Sequence, residues 1–226
     1  RRFRGPASSG NGGWTAGALA DRLNTPAVTV SLLAPPPLET PIAVEVTGEA
    51  AVASVDDTLI ARAEPDSGDL PVVAWVPPDD ARAAEPSYAG LVSHPFPTCF
   101  SCGTERADGL RIFPGRVADQ EGHARVAATW TPDDSVADTL HHTTWAALDC
   151  IGGWAGDLEE RLMVLARMTA RIDRLPEIGA GHVVVGLGRG TEGRKTFTAS
   201  ALYDAEGALL ASAEHLWIAV DPAAFG

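Results

Sequence analysis

Two cysteines separated by two residues are the first group in this sequence whose type and spacing suit metal chemistry. They lie in Cys99-Phe100-Ser101-Cys102-Gly103, and His94 comes just before them. This spacing suits two of the four ligands of a tetrahedral zinc ion. We take His94 as a third ligand, while the other residues able to contribute are His123, His141, His142 and Cys150. A tight turn with reduced thiols and a disulfide within the segment are the alternatives.

Two Gly-Gly-Trp sequences are the second such group. Asn11 precedes Gly12-Gly13-Trp14, and Asp149-Cys150-Ile151 precedes Gly152-Gly153-Trp154. We expect each to open a helix, over residues 14–23 and 154–162. A helix N-terminus offers free N–H groups and partial positive charge, and glycine lets a ligand carbonyl approach closely. Alternatively, the glycines only allow tight packing of a helix on a sheet, and Asn11 is an N-cap.

The elements that follow each Gly-Gly-Trp occur in the same order, which indicates an internal repeat. After each helix the pattern predicts four strands, at residues 28–33, 42–46, 51–55 and 59–63 and again at 163–168, 182–185, 196–203 and 209–220. An opening hairpin, 110–117 with 123–130, is predicted for the second unit only. The predicted organisation is an N-terminal unit at 1–76 without its first hairpin, a linker with the CxxC motif at 77–108, and a C-terminal unit at 109–226.

Composition excludes several classes of protein. The 226 residues carry 17 Lys and Arg against 30 Asp and Glu, a net charge of −13, which argues against nucleic-acid binding. No apolar run approaches the roughly 20 residues of a membrane span. Three cysteines are too few for a disulfide scaffold of this size, so a reducing cytoplasm is the expected location.

Two further motifs do not point to a site. Residues 188–193 match G-x-G-x-x-G, but the segment after them alternates as a strand, so we expect a hairpin turn and not a nucleotide site. The sequence contains no G-x-S-x-G, so a serine hydrolase of that type is not supported.

A helix wrapped by an antiparallel sheet, opened by Gly-Gly and duplicated in one chain, resembles the double-hotdog fold. More narrowly, the chain resembles the acyl-CoA thioesterase-like proteins of the hotdog superfamily, over nearly its whole length. The resemblance rests most on residues 9–14 and 145–154. It implies an α+β protein in which two antiparallel sheets each wrap a central helix. Many hotdog thioesterases carry His-Gly-Gly, and here Asn11 and Ile151 occupy the histidine position.

The resemblance also implies candidate site residues for thioester hydrolysis, which needs donors on the carbonyl oxygen and a carboxylate that activates water. The candidate carboxylates are Asp149, in an apolar setting, and Glu160, nine residues beyond Ile151. Asn11 is a candidate carbonyl donor, and His142 could assist proton transfer. The candidate substrate-binding residues are Gly12, Gly13, Trp14, Gly152, Gly153 and Trp154. The alternatives are helix capping for Asp149 and a solvated helix face for Glu160.

The implied substrate is an acyl-CoA or acyl-carrier thioester, with no cofactor required beyond an optional structural zinc. The resemblance allows a homodimer and gives no membrane span. A non-catalytic protein that binds acyl thioesters or other hydrophobic ligands is the main alternative. A hotdog dehydratase is the third, with His142 and Asp149 as its only nearby histidine–carboxylate pair.

Overall fold

One antiparallel sheet of ten strands dominates the computed structural model, which describes residues 1–221. The strands are β1 Ala27–Leu32, β2 Ala43–Thr47, β3 Ala50–Val55, β4 Thr58–Pro65, β5 Gly115–Gln120, β6 His123–Trp130, β7 Met163–Ile172, β8 His182–Glu192, β9 Lys195–Asp204 and β10 Leu209–Ala219. Their order across the sheet is β2-β3-β4-β1-β7-β10-β9-β8-β6-β5. With the helices described below, this is an α+β fold, as predicted, although pairing of β1 with β7 joins the strands into one sheet where two were expected.

The order of the strands is symmetrical about its centre. β1 pairs antiparallel with β7, and the Thr29 and Thr169 hydroxyls lie 2.7 Å apart across this pair. Outward from the centre, β4, β3 and β2 follow on one side and β10, β9 and β8 on the other. The four strands predicted after each helix are confirmed. The hairpin of β5 and β6 extends the second half only, also as predicted, although β5 starts five residues later than expected.

Three α-helices pack on this sheet or on one another: α1 Gly12–Ala20, α2 Pro78–Ala84 and α3 Leu140–Ala155. α1 and α3 lie in direct contact because α1 presents glycine to its neighbour. A Cβ at Gly13 would lie 2.7 Å from the Trp145 carbonyl oxygen, and one at Gly17 would lie 2.8 Å from the His142 Cα. Among the described residues, no helix has the length and apolarity to cross a membrane.

α3 corrects one prediction from the sequence. The helix begins at Leu140 and ends at Ala155, so Gly152 and Gly153 lie in its last turn and do not open it. Its sides are buried from Thr143 to Ala155, which leaves no amphipathic pattern to mark where it begins. The glycine pair allows close packing on β10, since a Cβ at Gly152 would lie 2.7 Å from His215 Nδ1.

The segment predicted as a linker, residues 77–108, is packed into the protein. Ala81 of α2 joins Val73 and Val76 in a buried cluster with side chains of β8 and β9. Tyr88 and Phe100 are almost fully buried. The segment therefore forms part of the core. The division of the chain into two units with boundaries near residues 76 and 109 stays a prediction.

Candidate functional site

An apolar cavity of about 270 Å³ lies where the N-terminus of α1 meets α3 and the central strands β1, β7 and β10. Its apolar walls come mainly from these strands and from the segment after α3, and they include Leu32, Leu158, Met163, Leu165 and Trp217. Polar groups border it at the helices, where Asn11, Gly12 and Asp149 lie. An apolar pocket with a few convergent polar groups is the usual form of a small-molecule site.

Asp149 is the only carboxylate among the described residues that line this cavity. It lies on α3 and is 3 % exposed. Its Oδ2 accepts a hydrogen bond of 2.8 Å from the Gly13 N–H, and its Oδ1 is buried without a hydrogen-bond partner. Burial raises the pKa of Asp149 to about 8, against the opposing effect of the Gly13 hydrogen bond. A carboxyl group with such a pKa can exchange a proton near neutral pH, as acid–base catalysis requires.

Gly12 borders the cavity at the first turn of α1. Its N–H is one of the first N–H groups of the helix, which have no carbonyl partner within the helix. A Cβ here would lie 3.1 Å from Leu32 Cδ1 and 3.2 Å from Leu165 Cβ, so glycine avoids crowding the cavity wall. The partial positive charge of the helix start favours an oxygen that gains negative charge.

Asn11 is the N-cap of α1, with its amide held in one orientation. Its Oδ1 accepts from the Trp14 N–H at 2.8 Å, which is the capping bond. Its Nδ2 points the other way and lies 3.7 Å from Cys99 Sγ and 3.6 Å from Cys150 Sγ. The capping role expected as an alternative is therefore present, and the amide NH₂ is directed at sulfur.

The three cysteines of the chain form one cluster at the cavity. Cys99, Cys102 and Cys150 are reduced and buried, and their sulfurs lie within 4.8 Å of one another. Cys99 Sγ and Cys150 Sγ are 3.5 Å apart. Hydrogen bonding from the neighbouring thiols of Cys102 and Cys150 lowers the pKa of Cys99. Cysteines remote in sequence thus converge on one point.

His94 does not join this cluster, contrary to the expectation from sequence. Its Nδ1 accepts from the Phe96 N–H at 2.9 Å, and its Nε2 lies 3.0 Å from the Cys102 carbonyl oxygen. Because the N–H can only donate and the carbonyl can only accept, the ring is neutral with its proton on Nε2. Burial also lowers the pKa of His94. Both ring nitrogens are thereby occupied, and Cys150 supplies the third sulfur.

The structure places His142 and Glu160 away from the cavity. His142 Nε2 lies 3.3 Å from Asp21 Oδ2, and its ring stands edge-on to Trp14. Glu160 is exposed beyond the end of α3, so its spacing from Ile151 does not place it on a helix. Neither residue lies where it could act on a ligand in this cavity.

The two tryptophans and the second glycine pair also lie outside the cavity lining. Trp14 stacks on Phe3 with ring centroids 4.3 Å apart. Trp154 stands edge-on to Tyr88 and to His94. Gly152 and Gly153 pack against β10, as described above. Of the predicted substrate-binding residues, only Gly12 borders the cavity, while Gly13 acts through its bond to Asp149.

Sequence reasoning missed the cavity walls, and it named Cys150 only as one of several alternatives to His94 in the cysteine cluster. The walls come from strand residues such as Met163, Leu165 and Trp217, which read in the sequence as ordinary core positions. For the cluster a signal was present, since the chain has only three cysteines and Cys150 adjoins the candidate carboxylate Asp149.

Comparison with known proteins gives structural neighbours but no related sequence. Neither the protein-family models nor the curated protein sequences gave a match. Solved structures do match over nearly the whole chain. The tesB protein of Mycobacterium avium subsp. paratuberculosis is 14% identical, with a TM-score of 0.59 over 96% of this chain and 89% of that one.

Two further solved structures are similar to a comparable degree. Acyl-CoA thioesterase II TesB2 of Mycobacterium marinum is 14% identical, with a TM-score of 0.58 over 96% of this chain and 92% of that one. A conserved hot dog fold protein of unknown function from Alicyclobacillus acidocaldarius is 16% identical, with a TM-score of 0.58 over 98% and 90% of the two chains. The chain therefore has the hotdog fold that the sequence predicted, shared with TesB-type proteins.

Proposed function

We propose that this protein hydrolyses the thioester of a hydrophobic acyl group carried on coenzyme A or an acyl carrier, and that it is built from two hotdog units in tandem. The structural neighbours named acyl-CoA thioesterase II support the reaction class. The symmetrical strand order supports the tandem arrangement. The observation that carries the proposal is Asp149, a buried carboxyl group with one unpartnered oxygen beside an apolar cavity.

In this proposal the acyl chain lies along the apolar side chains of β7 and β10, and the thioester carbonyl lies at the start of α1. The Gly12 N–H and the helix dipole stabilise the negative charge that develops on the carbonyl oxygen. Asp149 has a fixed position for this task, because the Gly13 N–H holds one of its oxygens at 2.8 Å and leaves the other free.

The reaction has two steps. Asp149 accepts a proton from a water molecule as the water oxygen attacks the thioester carbonyl carbon, which gives a tetrahedral intermediate. The carbon–sulfur bond then breaks, and the leaving sulfur receives the proton from Asp149. The products are the carboxylic acid and the free thiol, and the Asp149 carboxylate is regenerated.

Binding without hydrolysis is the second candidate, and one contact favours it. The Asn11 NH₂ is directed at two cysteine sulfurs, which leaves fewer donors for a carbonyl oxygen. The dehydratase alternative gains no support, because His142 contacts Asp21 and Trp14 and lies two helical turns from Asp149.

The deciding experiment compares Asp149→Asn with the matched control Glu160→Gln, a change from carboxylate to amide at an exposed site. Each protein is given short, medium and long acyl-CoAs, and released coenzyme A is measured by chromatography. We expect kcat to fall by about 100-fold or more in Asp149→Asn, the scale of general-base catalysis, and to be unchanged in Glu160→Gln.

Equal turnover of the parent protein and a folded Asp149→Asn variant would remove this residue from the mechanism. Saturable acyl-CoA binding by the parent protein without release of coenzyme A would favour the binding-protein alternative.

A further inference from the structure

The cysteine cluster lies at the apolar cavity and not in a separate linker. Cys99, Cys102 and Cys150 all border the cavity, as do Asn11 and Asp149. Two of these cysteines belong to the CxxC segment, and the third belongs to α3, one residue after the proposed catalytic carboxylate. We infer that the three cysteines bind one zinc ion at this cavity, with its fourth coordination position open to the cavity.

The spacing of the sulfurs suits a single tetrahedral ion. Two sulfurs bound to one zinc at about 2.3 Å lie about 3.8 Å from each other. Cys99 Sγ and Cys150 Sγ are 3.5 Å apart, and all three sulfurs lie within 4.8 Å of one another. The sulfurs are therefore already close to the separations that one shared zinc ion requires.

The Asn11 amide presents a hydrogen-bond donor to two of the sulfurs. The Asn11 Nδ2 lies between two of the sulfurs, at 3.7 Å from Cys99 and 3.6 Å from Cys150. The capping bond from Oδ1 to the Trp14 N–H fixes this orientation of the amide, so the NH₂ group and not the oxygen faces the sulfurs. Outer hydrogen bonds of this kind orient metal ligands and disperse their charge.

Within residues 1–221, the side chains close enough together to share this ion are the three cysteines. His94 is occupied at both ring nitrogens, and the Asn11 amide presents hydrogens to the sulfurs. Three protein ligands with one free position form the arrangement of a zinc that binds an exchangeable ligand. Since the cavity adjoins the cluster, that ligand is a water molecule or the thiol sulfur of a molecule that enters the cavity.

This inference rests on the cavity and the sulfurs and does not require the proposed hydrolysis. The test therefore measures bound metal and not catalytic activity. The protein is purified without chelator, and zinc per chain is measured by mass spectrometry. The zinc is then replaced by cobalt(II), whose sulfur-to-metal absorption grows with the number of thiolates bound. We expect about one zinc per chain and an intensity typical of three thiolates.

Two variants identify the third ligand. We expect Cys150→Ser to bind zinc at least tenfold more weakly, and the matched control His94→Gln to retain full zinc content. Addition of 2-mercaptoethanol to the cobalt protein is expected to shift its visible absorption, because the small thiol enters the open position.

Several results would overturn the inference. Zinc far below one per chain, with all three thiols open to titration or a Cys99–Cys150 disulfide present, would show that the cluster binds no metal. Loss of zinc in His94→Gln but not in Cys150→Ser would show that His94, and not Cys150, is the third ligand. Cobalt absorption typical of only two thiolates would exclude the three-cysteine site in the parent protein, even if a variant does not fold. A spectrum insensitive to added thiol would show a closed fourth position.

Discussion

His215 is a buried titratable side chain on β10 that the proposed chemistry does not use. It is 3 % exposed, its Nδ1 lies 3.1 Å from the Thr198 hydroxyl, and its Nε2 has no hydrogen-bond partner. Burial lowers the pKa of His215 to about 3 from an ordinary value of 6.5. The folded protein therefore keeps this ring neutral where the unfolded chain would protonate it.

We predict that His215 lowers the stability of the folded protein in weak acid, an effect opposed by Asp149, whose raised pKa favours the folded state as pH falls. Between pH 6.5 and 3 the unfolded state binds one proton more than the folded state at this position. Below pH 6.5 this group therefore lowers the free energy of unfolding by about 1.4 kcal/mol for each unit by which the pH falls. Above pH 6.5 the ring is neutral in both states, and the group no longer changes the stability. Urea unfolding from pH 7 down to about pH 5, above the range where ordinary carboxylates titrate, measures it.

The variant His215→Gln lacks this dependence, so the difference in free energy of unfolding between the variant and the parent protein should change by about 1.4 kcal/mol per pH unit below pH 6.5. The exposed His123→Gln serves as the control and should keep the parent slope. Parallel curves for the parent protein and His215→Gln would contradict the prediction.

At the scale of single residues, the sequence singled out Asn11 and Asp149, which border the cavity, but not the atoms that they contact. Asp149 and Asn11 were predictable because a carboxylate and an amide stood beside Gly-Gly motifs. The bond between Gly13 and Asp149 was not, because it joins positions 136 residues apart in the chain. Nor did the sequence show that Cys150 faces Cys99, since nothing local relates them.

Contact between α1 and α3 is the main feature at the scale of elements. Gly13 and Gly17 are one turn apart on α1 and face the backbone and side chains of α3. We predict that Gly13→Ala destabilises the protein by about 1–3 kcal/mol, because a Cβ there would lie 2.7 Å from the Trp145 carbonyl oxygen. Chemical denaturation followed by circular dichroism measures the change.

Gly181→Ala is the matched control for this substitution. No atom lies within 4 Å of a Cβ at Gly181, so the change should stay within about 1 kcal/mol of the parent protein. An equal cost for the two substitutions would show that contact between the helices is not what requires glycine at position 13.

The order of the strands along the chain was predictable from the sequence, but α2 and the position of α3 were not. Strands β1–β4 and β7–β10 follow from alternating or apolar runs bounded by turn residues. For α3, the same Gly-Gly-Trp that opens α1 comes at the close of the helix. The two motifs require glycine for different reasons. In α1 the glycines allow close contact with α3 and with side chains of the strands, and in α3 they allow close contact with β10.

The whole molecule shares one principal core. The largest buried cluster includes Ala16 and Val30 from the first half together with Trp145 and Trp217 from the second. We predict a single cooperative unfolding transition, because neither half can open without exposing this shared surface. Urea midpoints from far-ultraviolet circular dichroism and from tryptophan fluorescence should coincide.

Trp14→Phe tests that prediction, because the tryptophans that remain lie in the second half or, for Trp75, against it at Gly207. Its fluorescence midpoint should still match its circular dichroism midpoint. Two separate midpoints in either protein would show that the halves unfold independently.

The hydrogen bond from the Gly13 N–H to Asp149 joins a residue of the first half of the chain to a residue of the second half. Gly13 precedes the first residue of β1 by 14 positions, and Asp149 precedes the first residue of β7 by 14. These two places, at equal distances from the central strands, hold unlike residues, a glycine whose N–H binds Asp149 and the carboxylate proposed as catalytic. The first half has no carboxylate to offer at this place in return. In the proposed tandem hydrolase, one ligand is therefore expected to react at a time, because the second half alone supplies a carboxylate at this place.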